Sequence, residues 1–117
     1  MPSRDWQLRV GDTLKMKTQA TLEIEQILQE KRGLILELAA KHGACNLRVF
    51  GSVTRGEANA ESDVDFLIDL GENLSPWFPV GLIHDLEDLL GHKVDVVTEK
   101  SLHSFIRDRV LQEAKPL

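Results

Sequence analysis

Phe50-Gly51-Ser52-Val53-Thr54-Arg55-Gly56-Glu57-Ala58-Asn59-Ala60-Glu61-Ser62-Asp63-Val64-Asp65-Phe66-Leu67-Ile68-Asp69-Leu70 is the stretch that decides how this chain is read. A Gly-Ser pair closes one apolar run, and after ten intervening residues Asp63 and Asp65 open a second. Side chains two apart on a strand share a face, so both carboxylates aim at one spot. Like charges that close raise each other's pKa unless a cation lies between them. A hard divalent ion such as Mg2+ suits the spot, because it takes one or two carboxylates together with phosphate oxygens. Gly-Ser-x10-Asp-x-Asp should arise by chance in on the order of one chain in a thousand of this length. The plain alternative is a Gly-Ser turn followed by an exposed acidic strand start.

Working outward, residues 46–50 read as a strand that delivers Gly51 and Ser52 to its end. Residues 62–70 read as a second strand, whose nearly continuous Phe66-Leu67-Ile68 run predicts burial on both faces and a central place in a sheet. Upstream, Leu22, Ile24, Ile27, Leu28, Leu34, Ile35, Leu38 and Ala39 recur at helical spacing over residues 18–42. Gly33 is expected to weaken or bend that helix, and Gly43 to stop it. Downstream, Gly71-Glu72-Asn73 marks a turn. Ser75-Pro76 or Pro79 then opens a helix carrying Leu82, Ile83, Leu86, Leu89 and Leu90, which Gly91 ends. Residues 92–97 form a third strand with Asp95 in its middle, and Ser101 caps a final amphipathic helix through Leu102, Phe105, Ile106, Val110 and Leu111. The order helix, strand, strand, helix, strand, helix predicts an α/β (α+β) fold, a small mixed β-sheet with helices packed on it.

The chain of 117 residues supports one domain, expected over residues 18–117, preceded by an extension over residues 1–17. In the extension Trp6, Leu8 and Val10 alternate with polar residues. They fit a short edge strand, a segment ordered against a partner, or a stretch ahead of a true start at Met16. A net charge of −5 argues against a general nucleic-acid binder and suits a protein that sequesters something basic. Cys45 is the sole cysteine, which excludes an intrachain disulfide, and it is expected as a small core residue beside the first strand. No apolar run approaches a membrane span and no signal-peptide pattern opens the chain, so a cytoplasmic location is expected.

Asp95 changes two carboxylates into three. An Asp within Val94-Asp95-Val96-Val97 is costly if buried alone. Beside Asp63 and Asp65 it would complete a metal cluster; otherwise it pairs with a basic residue or lies on an exposed face. Three carboxylates and a Gly-Ser bend suit an in-line displacement at phosphorus assisted by two divalent ions. Gly51 would let backbone approach a triphosphate, and the Ser52 hydroxyl and amide would bind its oxygens. Asp63 and Asp65 would hold the ions, and Asp95 would act as ligand, general base or both. Arg55 could reach a phosphate bidentately or brace Glu57 or Asp63. Asp69 and Glu61 read as surface carboxylates, and His42, His84, His92 and His103 as solvated or helix-end residues. Trp77 and Phe78 read as packing residues.

Phe50-Gly51-Ser52, Arg55-Gly56-Glu57, Ser62-Asp63-Val64-Asp65 and Lys93-Val94-Asp95 resemble the minimal nucleotidyltransferase (MNT) family of the DNA polymerase β-like nucleotidyltransferase superfamily. The likeness runs over residues 18–117 and includes Leu89-Leu90-Gly91 and Ile106-Arg107-Asp108-Arg109-Val110. It implies Mg2+, with ATP as co-substrate, and functional roles for Gly51, Ser52, Asp63, Asp65 and Asp95. It also implies an antitoxin of a type VII HEPN/MNT toxin–antitoxin system, transferring AMP to a tyrosine of a HEPN ribonuclease toxin. The chain has no residues to spare for an acceptor domain, so the partner is expected to bring the acceptor hydroxyl. The alternatives are an antitoxin that acts by binding alone and a small-molecule (antibiotic) nucleotidyltransferase.

Overall fold

The computed structural model describes residues 16–117; the edge strand expected around Trp6, Leu8 and Val10 lies outside them. In chain order the elements are α1 Gln19–Glu30, α2 Arg32–His42, β1 Ala44–Phe50, α3 Ser52–Arg55, β2 Val64–Leu70, α4 Val80–Leu90 and β3 Val94–Val97. A 3-10 turn Glu99–Ser101, α5 Ser104–Glu113 and a short β4 Lys115–Pro116 complete the chain. The strands form one mixed sheet in the order β3-β2-β1-β4. β2 is central, as its apolar run predicts; it runs antiparallel to β1 and parallel to β3.

Strand alternation divides β2 into two faces. Val64, Phe66 and Ile68 turn toward α1, α2 and α4, where they meet Ile24, Leu28, Ile35, Ala39, Leu82, Leu86 and Leu90 in one buried core. Asp65, Leu67 and Asp69 turn the other way. The helix layer therefore consumes one face of the sheet and leaves the acidic face to a thinner cover. The three-to-four residue spacing of the apolar positions in α1 and α4 is what makes this layer possible.

The expected single helix over residues 18–42 is two. The break falls at Lys31 (φ −104°, ψ 13°), whose N–H still bonds back into α1, while Gly33 sits inside α2. Leu22 and Leu34, assigned to the apolar stripe, are exposed. Gly43 does stop α2, in the left-handed conformation (φ 88°). Cys45 is exposed and not a core residue. Asn46 takes φ 49° and the β1/β2 register shifts between Cys45 and Arg48, which turns the Cys45 side chain outward. Phe78 packs on the core as expected, whereas Trp77 is 76% exposed. Ser101 does not cap the last helix. It closes the 3-10 turn in a reciprocal capping box with Thr98, and His103 caps α5 through its Nδ1. Along α5 only Val110 is buried, and Phe105 stands 89% exposed, its ring stacked on His103. His42 has the helix-end role expected, but it is buried, between Ser75 Oγ and Asp85 Oδ2 at 2.7 Å each. Sequence reading had no strand at Lys115-Pro116; Pro116 is tolerated there because β4 is an edge.

The segment that carries the motif is stitched to α1. Thr18 caps that helix by accepting from the Thr21 N–H, and its hydroxyl also donates to the Ala58 carbonyl. The fully buried Thr21 Oγ1 accepts from the Ala58 N–H at 3.0 Å. Beyond Ala58, Asn59 and Ser62 bond each other's backbone and side chain, and this turn sets the entry of Asp63 into β2. Thr21→Val keeps the shape of the side chain but leaves the Ala58 N–H buried and unbonded. It should lower unfolding stability by about 1–3 kcal/mol, measured by urea denaturation; an unchanged midpoint would show that the stitch contributes nothing.

Candidate active site

β1 ends at Phe50 and the chain reverses through Gly51 into the single turn of α3. Gly51 has φ 82° and ψ −150°, a region essentially restricted to glycine. A Cβ there would also collide with the Asp65 carboxylate. The bend is thus packed directly on the first residue of the acidic face, and Gly51 is required by both backbone and space. Its carbonyl accepts from the Arg55 N–H at 3.2 Å and the Thr54 hydroxyl at 2.8 Å. Ser52 occupies the first position of α3, where helix N–H groups lack intrahelical partners.

The parallel pairing of β2 with β3 sets Asp65 directly beside Asp95. Register partners on parallel strands project from the same face, so Asp95 joins Asp65 on the open side of the sheet. Asp63, two residues before Asp65, has the same parity and is exposed at the strand entrance. The structure thus sets Asp65 against Gly51 and beside Asp95, with Asp63 near enough for its charge to act on Asp65. Among the described residues no three acidic, imidazole or thiol groups close into a cation cage; the aspartates form an open acidic ledge.

The electrostatics follow from this placement. The Asp65 carboxyl is pushed up from 3.8 to about 6, first by burial and then by the charges of Asp95 and Asp63. The nearby Arg55 opposes the shift and Glu113 adds to it. A cavity of about 260 Å3 opens here, lined by Phe50, Gly51, Arg55 and Asp65 from the sheet side and by Ile106, Arg109, Val110 and Glu113 from α5. Arg55 is raised, chiefly by its hydrogen bond to Glu113. Its Nη1 donates to Glu113 at 2.8 Å and its Nε to Glu57 at 3.2 Å. Arg55 is thus braced by Glu57 and Glu113 rather than by Asp63. Asp69 pairs with Arg48 at 2.8 Å, and both Asp69 and Glu61 are exposed.

Arg109 and Glu113 were missed by sequence reading. Their signal is faint: they lie one residue before and three after Val110, the single buried residue of α5.

A hard-oxygen ledge beside a glycine bend at the strand ends of a mixed α/β sheet defines a nucleotidyl-transfer class of domain. The nucleotidyltransferase domain family model matches residues 23–117, and the chain belongs to that family. It is 44% identical over 91 residues to the protein adenylyltransferase MntA of Thermococcus cleftensis, covering 78% of this chain and 89% of that protein. A solved structure provisionally described as a minimal nucleotidyltransferase superposes with TM-score 0.69 at 45% identity, covering 80% of this chain and 95% of the other. A toxin–antitoxin structure with AMP-PNP shares the fold, with TM-score 0.59 at 22% identity over 72% of this chain and 69% of that one.

The Asp65 carboxyl supplies a prediction with a definite sign. Its folded pKa exceeds its unfolded one, so its contribution to stability is fully present below about pH 3.8 and is lost as pH rises through about 6. Above that, the ionised group works against the fold. Without metal, Asp65→Asn should therefore stabilise the protein at pH 8 by about 1–2 kcal/mol, the full linkage value of roughly 3 kcal/mol being discounted for partial exposure. The gain should vanish below pH 4. Thermal melts in EDTA across this range test it, and a destabilised Asp65→Asn at pH 8 would refute it.

Proposed function

We propose that this chain is the antitoxin of a HEPN/MNT toxin–antitoxin pair, a Mg2+-dependent protein adenylyltransferase acting in the cytoplasm. It moves AMP from ATP to a tyrosine hydroxyl of its HEPN ribonuclease toxin and so neutralises it. The observation that carries the reading is the register that pairs Asp65 with Asp95 on the face shared by Asp63, against the Gly51 bend. The protein adenylyltransferase MntA from Thermococcus cleftensis supports the activity, and the toxin–antitoxin complex with AMP-PNP supports the nucleotide and the kind of partner.

Asp63, Asp65 and Asp95 fit Mg2+ because they are hard oxygen donors whose mutual repulsion a divalent cation relieves. Bound Mg2+ supplies charge neutralisation for the triphosphate and for the departing pyrophosphate. The Gly51 bend admits the triphosphate close to the backbone, and the Ser52 hydroxyl and amide bind its oxygens. The acceptor oxygen forms a bond to the α-phosphorus as the bond to the pyrophosphate oxygen breaks. Asp95, exposed on the edge strand β3, takes the acceptor proton. Most of the acceleration is positioning and electrostatics, with no covalent enzyme intermediate.

Incubation with α-labelled ATP, Mg2+ and the HEPN toxin should label the toxin on tyrosine and abolish its ribonuclease activity. Asp63→Asn should remove both effects while leaving the complex intact. A folded triple Asn variant at residues 63, 65 and 95 that still neutralises the toxin would instead establish action by binding alone. Label appearing on a small-molecule drug acceptor, and none on the toxin, would overturn the reading in favour of an antibiotic-modifying enzyme.

A further inference from the structure

We infer that Glu113 is a positioning residue of the nucleotide site, clamping the Gly51–Ser52 bend from the opposite wall of the cleft. The inference rests on the nucleotidyl-transfer reading above and adds a residue to it.

Glu113 is the last residue of α5, and its side chain is 14% exposed. One carboxylate oxygen accepts from the Gly51 N–H and the other from Arg55 Nη1, both at 2.8 Å. Gly51 and Arg55 are the N-cap and the final residue of α3. A single carboxylate therefore grips both ends of a one-turn helix. A helix of four residues has no stability of its own, since nucleation costs more than one turn returns. Its shape has to come from contacts outside it, and these two bonds are the charge-assisted, stronger kind. The backbone that Glu113 holds is also the backbone packed on the Asp65 carboxylate. The clamp thus fixes the bend relative to the acidic ledge and commits the Gly51 N–H to α5.

Charge makes the role distinguishable. A carboxylate in a cleft that admits a triphosphate works against the ligand, and Arg55 offsets it locally. If Glu113 were merely a neighbour, removing its charge would tighten ATP binding. If it is the clamp, removing it weakens binding although a repulsive charge has gone.

Binding of Mg2+-ATP by calorimetry and steady-state AMP transfer should be compared in the full chain for wild type, Glu113→Ala, Glu113→Asp and Glu113→Gln, with thermal melts to fix a temperature at which each is folded. Glu113→Ala is expected to weaken ATP about tenfold, the size of one lost charge-assisted hydrogen bond, with the loss carried by KM for ATP and much less by kcat. Glu113→Asp keeps the charge but is one methylene short of spanning both partners, and it should weaken binding similarly; it decides the matter if the alanine variant does not fold. Glu113→Gln keeps an oxygen for the Gly51 N–H but sets its NH2 against Arg55 Nη1, so its binding should fall between that of alanine and wild type. Alanine or aspartate variants that bind ATP as tightly as wild type, or tighter, would overturn the clamp, as would a glutamine variant no better than alanine. A wild-type chain that binds no ATP would overturn the nucleotidyl-transfer reading itself, and the clamp with it.

Discussion

The pairing of Val64–Leu67 with Val94–Val97 in parallel register is the constraint on which the rest of the molecule depends. It fixes two things together. On one face it aligns Val64 with Val94 against the helices, which commits the register through burial. On the other it sets Asp65 beside Asp95. A slip of one residue would turn both sets of side chains over, exposing the valines and burying the carboxylates. Apolar packing on the helix side therefore enforces an electrostatically unfavourable arrangement on the open side. The elevated Asp65 pKa is the trace of that enforcement.

The bend at Gly51 is the second fixed point, and it is held from three directions. Its own backbone sits where only glycine is comfortable, Asp65 blocks any side chain, and Glu113 bonds its N–H from α5. Such redundancy fits a site whose function is positioning, because a loosely held bend would shift the phosphate cradle relative to the carboxylates. It also explains how α5, which buries only Val110, contributes to the site: it closes the cleft at one side and supplies the charge that binds Arg55.

Legibility in the sequence followed the range over which each feature is determined. Gly51, Ser52, Asp63 and Asp65 lie within fifteen residues, and two-residue alternation with glycine punctuation is local physics. The closeness of the glycine bend to Asp65, and the central place of β2, could be read directly. Asp95 lies thirty residues beyond Asp65, and only its apolar setting hinted at a special place. Glu113 was out of reach because its contact with Gly51 spans 62 residues and nothing local marks it except its spacing from Val110. Cys45, Trp77 and Phe105 were misplaced for a common reason. Apolar character says that burial would be favourable, while exposure depends on which surfaces the tertiary fold has left to cover. At Cys45 a local irregularity at Asn46 reversed the alternation, which no strand pattern could foretell.

The one-sided core also accounts for how so small a domain tolerates the acidic ledge. Clustered carboxylates and a glycine-only bend each cost stability. The large buried side chains Phe66, Ile24, Ile35, Ile68, Leu82 and Leu86 lie on the opposite side of the sheet, and Leu67 is the large one fully buried on the acidic face. The buried polar residues that do occur, Thr21 and His42, are both hydrogen-bonded, and among the described residues no buried side-chain polar atom lacks a partner. Burial is thus concentrated in the helix layer and the carboxylate repulsion lies on the open face, with the sheet as the partition between them. That separation lets the ledge stay charged and accessible without loosening the core that sets its register.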